Sequence, residues 1–380
     1  MRIGLLVLSV GKFGNKGFYN LQEVGLAKAF GNQGHTVEVY KCVGKDAVNK
    51  REKIAENVHL NMIAVPTVGN NSVFSCEKRL SRDLDVLVCF SDVQIRTSAV
   101  YRWARRHGIV FIPYVGITHS TSTSFFKRLL SEVFSGSVFN TYKKSGVLSK
   151  TKTVERELKA KGITDVQTVT VGLDFDLLHK DYRVPSDPLK AELHLDPALK
   201  YILIVGRLES DRDPLQAVSV LEALHQADPR YRLIVIGKGS LKSELSAKLE
   251  NKGLSSLATW IEQVPNSEMW KYYRTSEALV SFSKTEIFGM SILEAMYYEL
   301  PVYVIHAPGP DEIITDRETG YLFHSPLEMP SAILSHCDPA LGEKAHRYVV
   351  SRFSWDNMVR TVIERTTESM RHQNHSSEER

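Results

Sequence analysis

The residues best suited to chemistry lie in the segment 281–305, which reads SFSKTEIFGMSILEAMYYELPVYVI. A predicted strand ends at the start of this segment, a loop carries Glu286, and a helix is predicted from about Met290. Gly289 at the helix start lets the backbone approach a ligand closely. Because the first N–H groups of a helix are unpaired and lie at the positive end of its dipole, they favour an anion such as a diphosphate.

Two carboxylates accompany this helix start, since Glu286 lies in the loop and Glu294 lies within the helix. In this placement one carboxylate can meet sugar hydroxyls beside a bound diphosphate while the other reaches a ribose. The alternative is a pair of surface glutamates at a chance spacing. The chain combines this spacing with a glycine-led helix start only here, which favours the binding site.

The elements that position these residues are short apolar runs that alternate with amphipathic stretches. Strands are predicted at Ile3–Ser9, Thr36–Tyr40, His59–Val65, Asp85–Phe90, Ile109–Val115, Tyr201–Val205, Arg232–Ile236, Thr259–Ile261, Ala278–Ser281 and Val302–Ile305. Continuous Val, Ile and Leu runs separated by helices are typical of a parallel sheet that is covered on both faces. The prediction is an α/β protein with two doubly wound domains, whose facing sheets would leave a ligand cleft at the carboxyl ends of their strands.

Length and charge both indicate two bodies. The chain has 380 residues, too many for one ordinary core, and the polar stretch Val171–Pro188 predicts a border between residues 1–170 and 171–353. Residues 1–170 carry 25 Lys and Arg against 13 Asp and Glu, a net charge of +12, whereas the remainder carries −8. The basic half could face an anionic membrane, a phosphate-bearing substrate or nucleic acid, or be an ordinary solvated surface. Its basic residues are spread out and form no recognition module, so no nucleic-acid partner is expected.

The cellular compartment is predicted from the absence of disulfide, membrane-spanning and signal-peptide patterns in the sequence. Four cysteines are scattered without a CxxC pair, which suits a reducing cytosol and indicates neither a disulfide framework nor a zinc site. The chain has no uncharged apolar stretch of about 18 residues, so no membrane span is expected. The apolar run Ile3–Val10 leads into a glycine-rich turn and reads as a buried strand, not as a signal peptide.

Segment 281–305 closely resembles the Glu-x7-Glu signature of retaining nucleotide-sugar glycosyltransferases with two facing Rossmann domains, the GT-B fold. Within that class it resembles the large fourth sequence family, the glycosyl transferases group 1. Further segments resemble motifs of that family, namely Val205–Glu209, Val171–Asp174, Ser149, Pro310–Ile314 and Thr319–Leu322. The resemblance implies a retaining hexosyl transfer from a UDP- or GDP-linked sugar. It also implies a final helix, residues 354–370, that crosses back to the first domain ahead of a polar tail, residues 371–380.

The resemblance assigns donor-binding roles to individual residues. Glu286 would lie beside the donor sugar and act in catalysis, and Glu294 would bind the ribose. Backbone contacts to sugar and phosphate would come from Phe288, Gly289 and Met290. Arg207 would neutralise the diphosphate, and Arg212 stands where the family usually has a lysine.

Further donor contacts are expected in two glycine-containing turns. The N-terminal loop carries Gly14, Lys16 and Gly17 before a predicted helix, where Lys16 would add positive charge near a phosphate. The turn after strand Arg232–Ile236 carries Lys238, a further contact to the donor in relatives of this kind.

His119 follows the carboxyl end of the strand Ile109–Val115, where ligands bind in this architecture. A single histidine in a loop has a structural role by default, but the family often places one here, close to the donor sugar. The resemblance therefore implies a catalytic role for His119.

No metal or other cofactor is expected. Three Asp-x-Asp triplets begin at Asp83, Asp174 and Asp211, and all three are interpreted as structural. The third precedes Pro214, and a helix cap is the simpler explanation for it.

The expected partners are a nucleotide-sugar donor and a glycan or lipid-linked acceptor that enters from the basic N-terminal domain. The stretch Ser124–Phe134 is basic and amphipathic, and is either an interfacial helix on anionic lipid or an ordinary core-facing helix. The predicted location is the cytoplasm, with peripheral contact at the inner face of the plasma membrane as one option. Two alternatives to transfer are a nucleotide-sugar epimerase or hydrolase of the same fold, and a non-catalytic subunit that stabilises a glycosyltransferase.

Overall fold

The computed structural model describes residues 1–10, 21–44, 47–68, 71–72, 76–119, 125–335 and 339–378. The described chain divides into two units: the first contains residues of 1–172 and 355–378, and the second contains residues of 173–354. The sequence prediction drew these borders after residues 170 and 353.

The strands of the first unit are β1 (Arg2–Val7), β2 (Thr36–Gly44), β3 (Lys50–Ala55), β4 (Val58–Val65), β5 (Thr67–Val68), β6 (Asn71–Ser72), β7 (Val86–Phe90), β8 (Val110–Val115), β9 (Val147–Ser149) and β10 (Val166–Thr168). Apart from the short pair β5–β6, they form one sheet in the order β10-β9-β8-β7-β1-β2-β4-β3. All neighbours in this sheet are parallel except β3, which pairs antiparallel with β4.

The centre of this sheet is apolar along its whole length. Every residue of β7 and β8 is buried, as expected for strands covered on both faces. Strand β3, with the sequence KREKIA, is polar and lies at the sheet edge, where charged side chains discourage pairing with another chain. The sequence prediction missed β3 because its pattern resembles a polar loop.

The helices are α1 (Gln22–Asn32), α2 (Thr97–Arg106), α3 (Phe125–Ser145), α4 (Lys152–Ala160), α5 (Ser186–Glu192), α6 (Ala217–Ala227), α7 (Lys242–Asn251), α8 (Asn266–Thr275), α9 (Met290–Tyr297), α10 (Pro310–Ile313), α11 (Met329–Ser335), α12 (Pro339–Arg352) and α13 (Asp356–Glu378). Helices α1 to α4 and α13 belong to the first unit. Helix α13 packs on α1 and β8, and Arg365 bonds to Asp165 at 2.8 Å. It ends at Glu378, so the helix includes most of the predicted polar tail.

The strands of the second unit are β11 (Lys200–Val205), β12 (Tyr231–Ile236), β13 (Ala258–Ile261), β14 (Ala278–Ser281), β15 (Val302–Ile305) and β16 (Tyr321–Phe323). They form one parallel sheet in the order β13-β12-β11-β14-β15-β16. The order reverses direction between β11 and β14, and ligands bind beside such a reversal in open α/β sheets. The predicted fold class of two doubly wound parallel-sheet domains is therefore confirmed, while the cleft between them stays a prediction.

Candidate functional site

The candidate donor site lies where β11 and β14, which are hydrogen-bonded neighbours, end. The loop after β11 carries Arg207 and Arg212, and the loop after β14 carries Glu286. The hydroxyls of Ser283 and Thr285 donate to the carbonyl oxygen of Asp211 at 2.8 and 3.2 Å. These bonds fix the two loops against each other, so residues about 75 positions apart in sequence share one site.

An ion pair joins the two loops. One guanidinium nitrogen of Arg212 contacts a carboxylate oxygen of Glu286, and both side chains are largely withdrawn from solvent. The other carboxylate oxygen of Glu286 accepts a long hydrogen bond from the backbone N–H of Phe288 at 3.4 Å. Burial, together with the nearby charge of Arg207, lowers the pKa of the Arg212 guanidinium, while Asp211 opposes the change. Arg212 still stays charged at neutral pH because an arginine is effectively always protonated.

Asp211 holds the second arginine. Its Oδ2 accepts from Nη2 of Arg207 at 2.6 Å and lies 3.8 Å from Nε of Arg212. Asp213 stands at the N-cap of the short 3-10 turn Pro214–Gln216, as the helix-cap interpretation expects, but it has a left-handed conformation with φ +45° and makes no capping hydrogen bond. Its carboxylate accepts from the side chain of Gln216 instead. Asp211 therefore orients Arg207, the residue predicted to contact the diphosphate, and this role was not predicted from the sequence.

Gly289 starts helix α9 in a conformation that favours glycine, with φ +99°. A Cβ at Gly309 would come within 2.5 Å of the Phe288 backbone, and the Gly309 N–H donates to the carbonyl of Glu286 at 2.8 Å. The side chain of Phe288 is buried against Phe353. The side chain of Phe288 is therefore part of the core, and a contact of its backbone with a ligand stays a prediction.

Glu294 lies one turn into α9, in a narrow pocket lined by Leu177, Leu178, Asn266, Met269, Tyr273 and Tyr298. The hydroxyl of Tyr273 donates to Oε2 of Glu294 at 2.9 Å, and the Tyr273 ring stacks on Tyr298. Burial raises the pKa of Glu294 to about 7, against a smaller lowering by the Tyr273 hydrogen bond. Tyr273 is a site residue that the sequence analysis missed, because its contact with Glu294 exists only after folding.

Lys238 lies beside the turn that carries Arg207. Its backbone carbonyl accepts from the N–H of Leu208 at 3.0 Å. A Cβ at Gly237 would lie 1.8 Å from the carbonyl oxygen of Gly206, so the two turns pack backbone against backbone. The Lys238 side chain is exposed. It is therefore placed at the same strand ends as Arg207, on the solvent side.

His119 belongs to the first unit, whereas the residues above belong to the second. Its side chain is 69% exposed, and its Nδ1 lies 3.9 Å from a carboxylate oxygen of Glu157. Thr118 donates to the same carboxylate oxygen. This places His119 at the carboxyl end of β8, as predicted, and its approach to a donor sugar stays a prediction.

Several predicted features lie outside the described residues. These are Gly14, Lys16 and Gly17 and, for the amphipathic stretch, Ser124 together with the side chains of residues 125–134. The backbone of that stretch is helical from Phe125. Within the described ranges, no group of three or more His, Cys, Asp or Glu side chains is arranged to hold a metal ion. In the same ranges no helix has the length and apolar character needed to cross a membrane.

Comparison with known proteins gives one family. Residues 186–336 match the family model for glycosyl transferases group 1. The matched relatives include the Glycosyltransferase 1 domain-containing protein 1 of Xenopus tropicalis, 32% identical over 41% of this chain and 46% of that protein. They also include the D-inositol 3-phosphate glycosyltransferase of Segniliparus rotundus, 26% identical over 42% of this chain and 36% of that protein, and the alpha-monoglucosyldiacylglycerol synthase of Acholeplasma laidlawii, 25% identical over 33% and 32%. The chain thus spans less than half the length of each of these relatives.

Solved structures match over nearly the whole chain. The sucrose-phosphate synthase of Thermosynechococcus elongatus has a TM-score of 0.75 at 15% identity and covers 99% of both chains. Anabaena HepE in complex with UDP has a TM-score of 0.73 at 14% identity and covers 97% of this chain and 100% of that one. At such identities the likeness shows the fold. Residues 186–336 thus match the glycosyl transferases group 1, and the chain as a whole has the GT-B fold.

Proposed function

We propose that the protein is a retaining glycosyltransferase that transfers a sugar from a UDP- or GDP-linked donor to a glycan or lipid-linked acceptor. One observation carries the proposal: Arg207, Arg212 and Glu286 meet at adjacent strand ends, next to the helix that Gly289 starts. This set combines two cations for a diphosphate with a carboxylate for a sugar.

Donor binding would exchange ion-pair partners. In the structure Asp211 holds Arg207, and Glu286 holds Arg212. Arg207 and Arg212 both lie near the same carboxylate oxygen of Asp211. A diphosphate offers several oxygens, so each planar guanidinium could form two parallel hydrogen bonds with it. Binding would therefore release the Glu286 carboxylate from Arg212, and the carboxylate could then accept hydrogen bonds from hydroxyls of the donor sugar.

The transfer step needs charge stabilisation at the leaving group. The bond between the anomeric carbon and the β-phosphate oxygen breaks, and negative charge grows on the diphosphate. Arg207, Arg212 and the first N–H groups of α9 would stabilise this charge without rearranging. The acceptor hydroxyl attacks the same face of the sugar, and its proton passes to the departing β-phosphate oxygen. Two guanidiniums supply the positive charge in this scheme, so we propose that no divalent metal is needed.

Acceptor class and location follow from the relatives and from the charge. The alpha-monoglucosyldiacylglycerol synthase is among the matched relatives, which supports a lipid-linked acceptor. The net charge of +12 on residues 1–170 supports contact with an anionic surface. We therefore propose a cytoplasmic enzyme that works at the inner face of the plasma membrane.

A thermal-shift and calorimetry panel of UDP-, GDP- and ADP-sugars on the full chain tests the proposal. One nucleotide class should raise the melting temperature, since a ligand that binds only the folded state stabilises it. Arg207→Gln should remove the shift, and Arg347→Gln, an exposed arginine on α12 paired with Glu343, should keep it. Absence of a shift with every nucleotide sugar would refute the donor assignment.

The two alternatives predict different products. Release of free sugar from the bound donor at the same rate with and without acceptors would indicate a hydrolase. Tight donor binding without turnover across an acceptor panel would indicate a non-catalytic subunit. Acceptor-dependent release of UDP or GDP, with the anomeric configuration of the sugar kept in the product, supports the retaining transferase.

A further inference from the structure

A second polar cluster lies in the first unit, where three neighbouring strands end. Asp92 follows β7, Gly116 follows β8 and Lys150 follows β9. The strands are hydrogen-bonded in this order, so the three residues converge at one edge of the sheet. Nothing in the proposed donor chemistry uses Asp92 or Lys150.

Lys150 is held in an unusual position for a lysine, since only 8% of the residue is exposed. Its stem lies across Gly116, where a Cβ would come within 2.8 Å of the lysine Cδ. The ammonium lies 5.6 and 5.3 Å from the ring centroids of Phe90 and Tyr114. Within the described part of the chain, no acceptor lies within hydrogen-bond distance of this ammonium. The stem of Lys150 is thus buried, while its ammonium keeps hydrogen-bond donors available to a ligand.

Asp92 is fixed from two sides. Its Oδ1 accepts from the N–H of Gly116 at 2.6 Å. Both Asp92 and Val93 have left-handed backbone conformations, with φ of +38° and +55°, and the Val93 N–H is held by the hydroxyl of Tyr142 at 3.3 Å. The second carboxylate oxygen, Oδ2, lies 3.9 Å from the Lys150 ammonium nitrogen. The carboxylate is thus rigidly placed while one of its oxygens stays available.

The 3.9 Å separation identifies the kind of group that fits. It is too long for a direct hydrogen bond, yet one oxygen about 2.8 Å from both atoms can bridge them. That oxygen must accept from the ammonium and donate to the carboxylate, as a hydroxyl or a water molecule does and an ionised oxygen does not. A phosphate or carboxylate placed at the ammonium would also lie against the negative charge of Asp92.

We propose that Lys150 and Asp92 form a subsite that binds a hydroxyl group of a neutral sugar or polyol, as part of the acceptor. The assignment to the acceptor rests on the proposed glycosyltransferase function, whereas the hydroxyl chemistry rests on the geometry of the first unit alone. The subsite also separates two roles within the basic half of the chain. Its overall positive charge serves an anionic surface, and this pair recognises an uncharged part of the acceptor.

Ligand-observed NMR on the full chain tests the subsite. The probes are glucose, mannose, myo-inositol and glycerol on one side, and inorganic phosphate and glycerol 3-phosphate on the other. At least one neutral probe should bind the wild type. Lys150→Met, which keeps the length of the stem, should weaken that binding about tenfold or more, since a hydrogen bond to a charged group is lost. Asp92→Asn should weaken it similarly, and asparagine tolerates the left-handed conformation.

The matched control is Lys159→Met, which removes an exposed lysine of α4 that pairs with Glu155. It should leave binding of the neutral probe unchanged. Equal binding by wild type and Lys150→Met would make the pair a purely structural contact and overturn the proposal. Binding of the phosphate probes instead, or of no probe at all, would overturn it as well. Nucleotide-sugar binding is measured separately on the same variants, so failure of the donor assignment is distinguishable from failure of this subsite.

Discussion

Glu294→Gln should make the stability of the second unit less dependent on pH. Burial raises the pKa of Glu294 from an ordinary value of 4.5 to about 7. The folded state therefore holds the proton more tightly than the unfolded state does. The stabilisation that this bound proton gives to the folded state is fully present below pH 4.5 and is lost as the pH rises through about 7.

The magnitude follows from the two pKa values. One pKa unit corresponds to about 1.4 kcal/mol, so the free energy of unfolding of the wild type should fall by about 2.5 kcal/mol between pH 5 and pH 8 through this group. Most of that loss occurs below pH 7. Glutamine is nearly isosteric and can still accept from the hydroxyl of Tyr273, but it has no proton to lose. As the pH rises from 5 to 8, the free energy of unfolding of the variant should therefore increase by about 2.5 kcal/mol relative to that of the wild type.

Urea unfolding at pH 5, 6, 7 and 8, followed by tryptophan fluorescence, measures the difference. Trp260 and Trp270 report on the second unit. The control is Glu262→Gln, because Lys242 lowers the pKa of the exposed Glu262 and places its titration below this pH range. A difference between Glu294→Gln and the wild type that stays constant with pH, or that is largest at pH 5, would contradict the burial argument.

The remaining predictions concern the donor site. Glu286→Gln should abolish transfer but leave the circular dichroism spectrum unchanged, and near-normal turnover would remove Glu286 from the mechanism. Gly309→Ala should destabilise the second unit by about 1–3 kcal/mol, because the new methyl group meets the Phe288 backbone at 2.5 Å; an unchanged urea midpoint would contradict this packing. Arg212→Lys should raise the KM for the donor about tenfold or more, through loss of bidentate pairing, and an unchanged KM would argue against a direct contact. Activity should persist in EDTA, and its loss with recovery on adding Mg²⁺ or Mn²⁺ would show that the two arginines are insufficient.

Much of the fold follows from local sequence, because a strand buried on both faces has a continuous apolar pattern. The predicted bounds of Ala278–Ser281 and Val302–Ile305 agree with β14 and β15 residue for residue. The pattern fails where an element gains its stability from its neighbours. Strand β3 is polar because it lies at an edge, and the end of α13 has no glycine or proline that would stop the helix near Met370.

The residues of the candidate site likewise include some that the sequence predicts and others that it does not. Glu286 could be proposed from its spacing to Glu294 at a glycine-led helix start, and Arg207 and Arg212 from the resemblance of their segment to the family. Asp211 and Tyr273 could not, since their roles depend on contacts with particular side chains that form after folding. The Lys150–Asp92 pair lies between these cases. Lys150 comes directly after β9 and Asp92 comes two positions after the end of β7, whereas the 3.9 Å gap between the two charged groups is a result of packing.

The contact between the turns after β11 and β12 limits how this protein can be redesigned. Side chains at Gly237 and Gly239 would overlap the carbonyl oxygens of Gly206 and Leu208, at 1.8 and 2.2 Å. The turn after β12 can therefore not accept a side chain at either glycine unless the turn after β11 moves. A library that varies Gly237 or Gly239 while the turn after β11 stays unchanged will lose most of its members to misfolding. A turn from a relative that lacks these glycines should therefore be accepted only when both turns are transplanted together as one cassette.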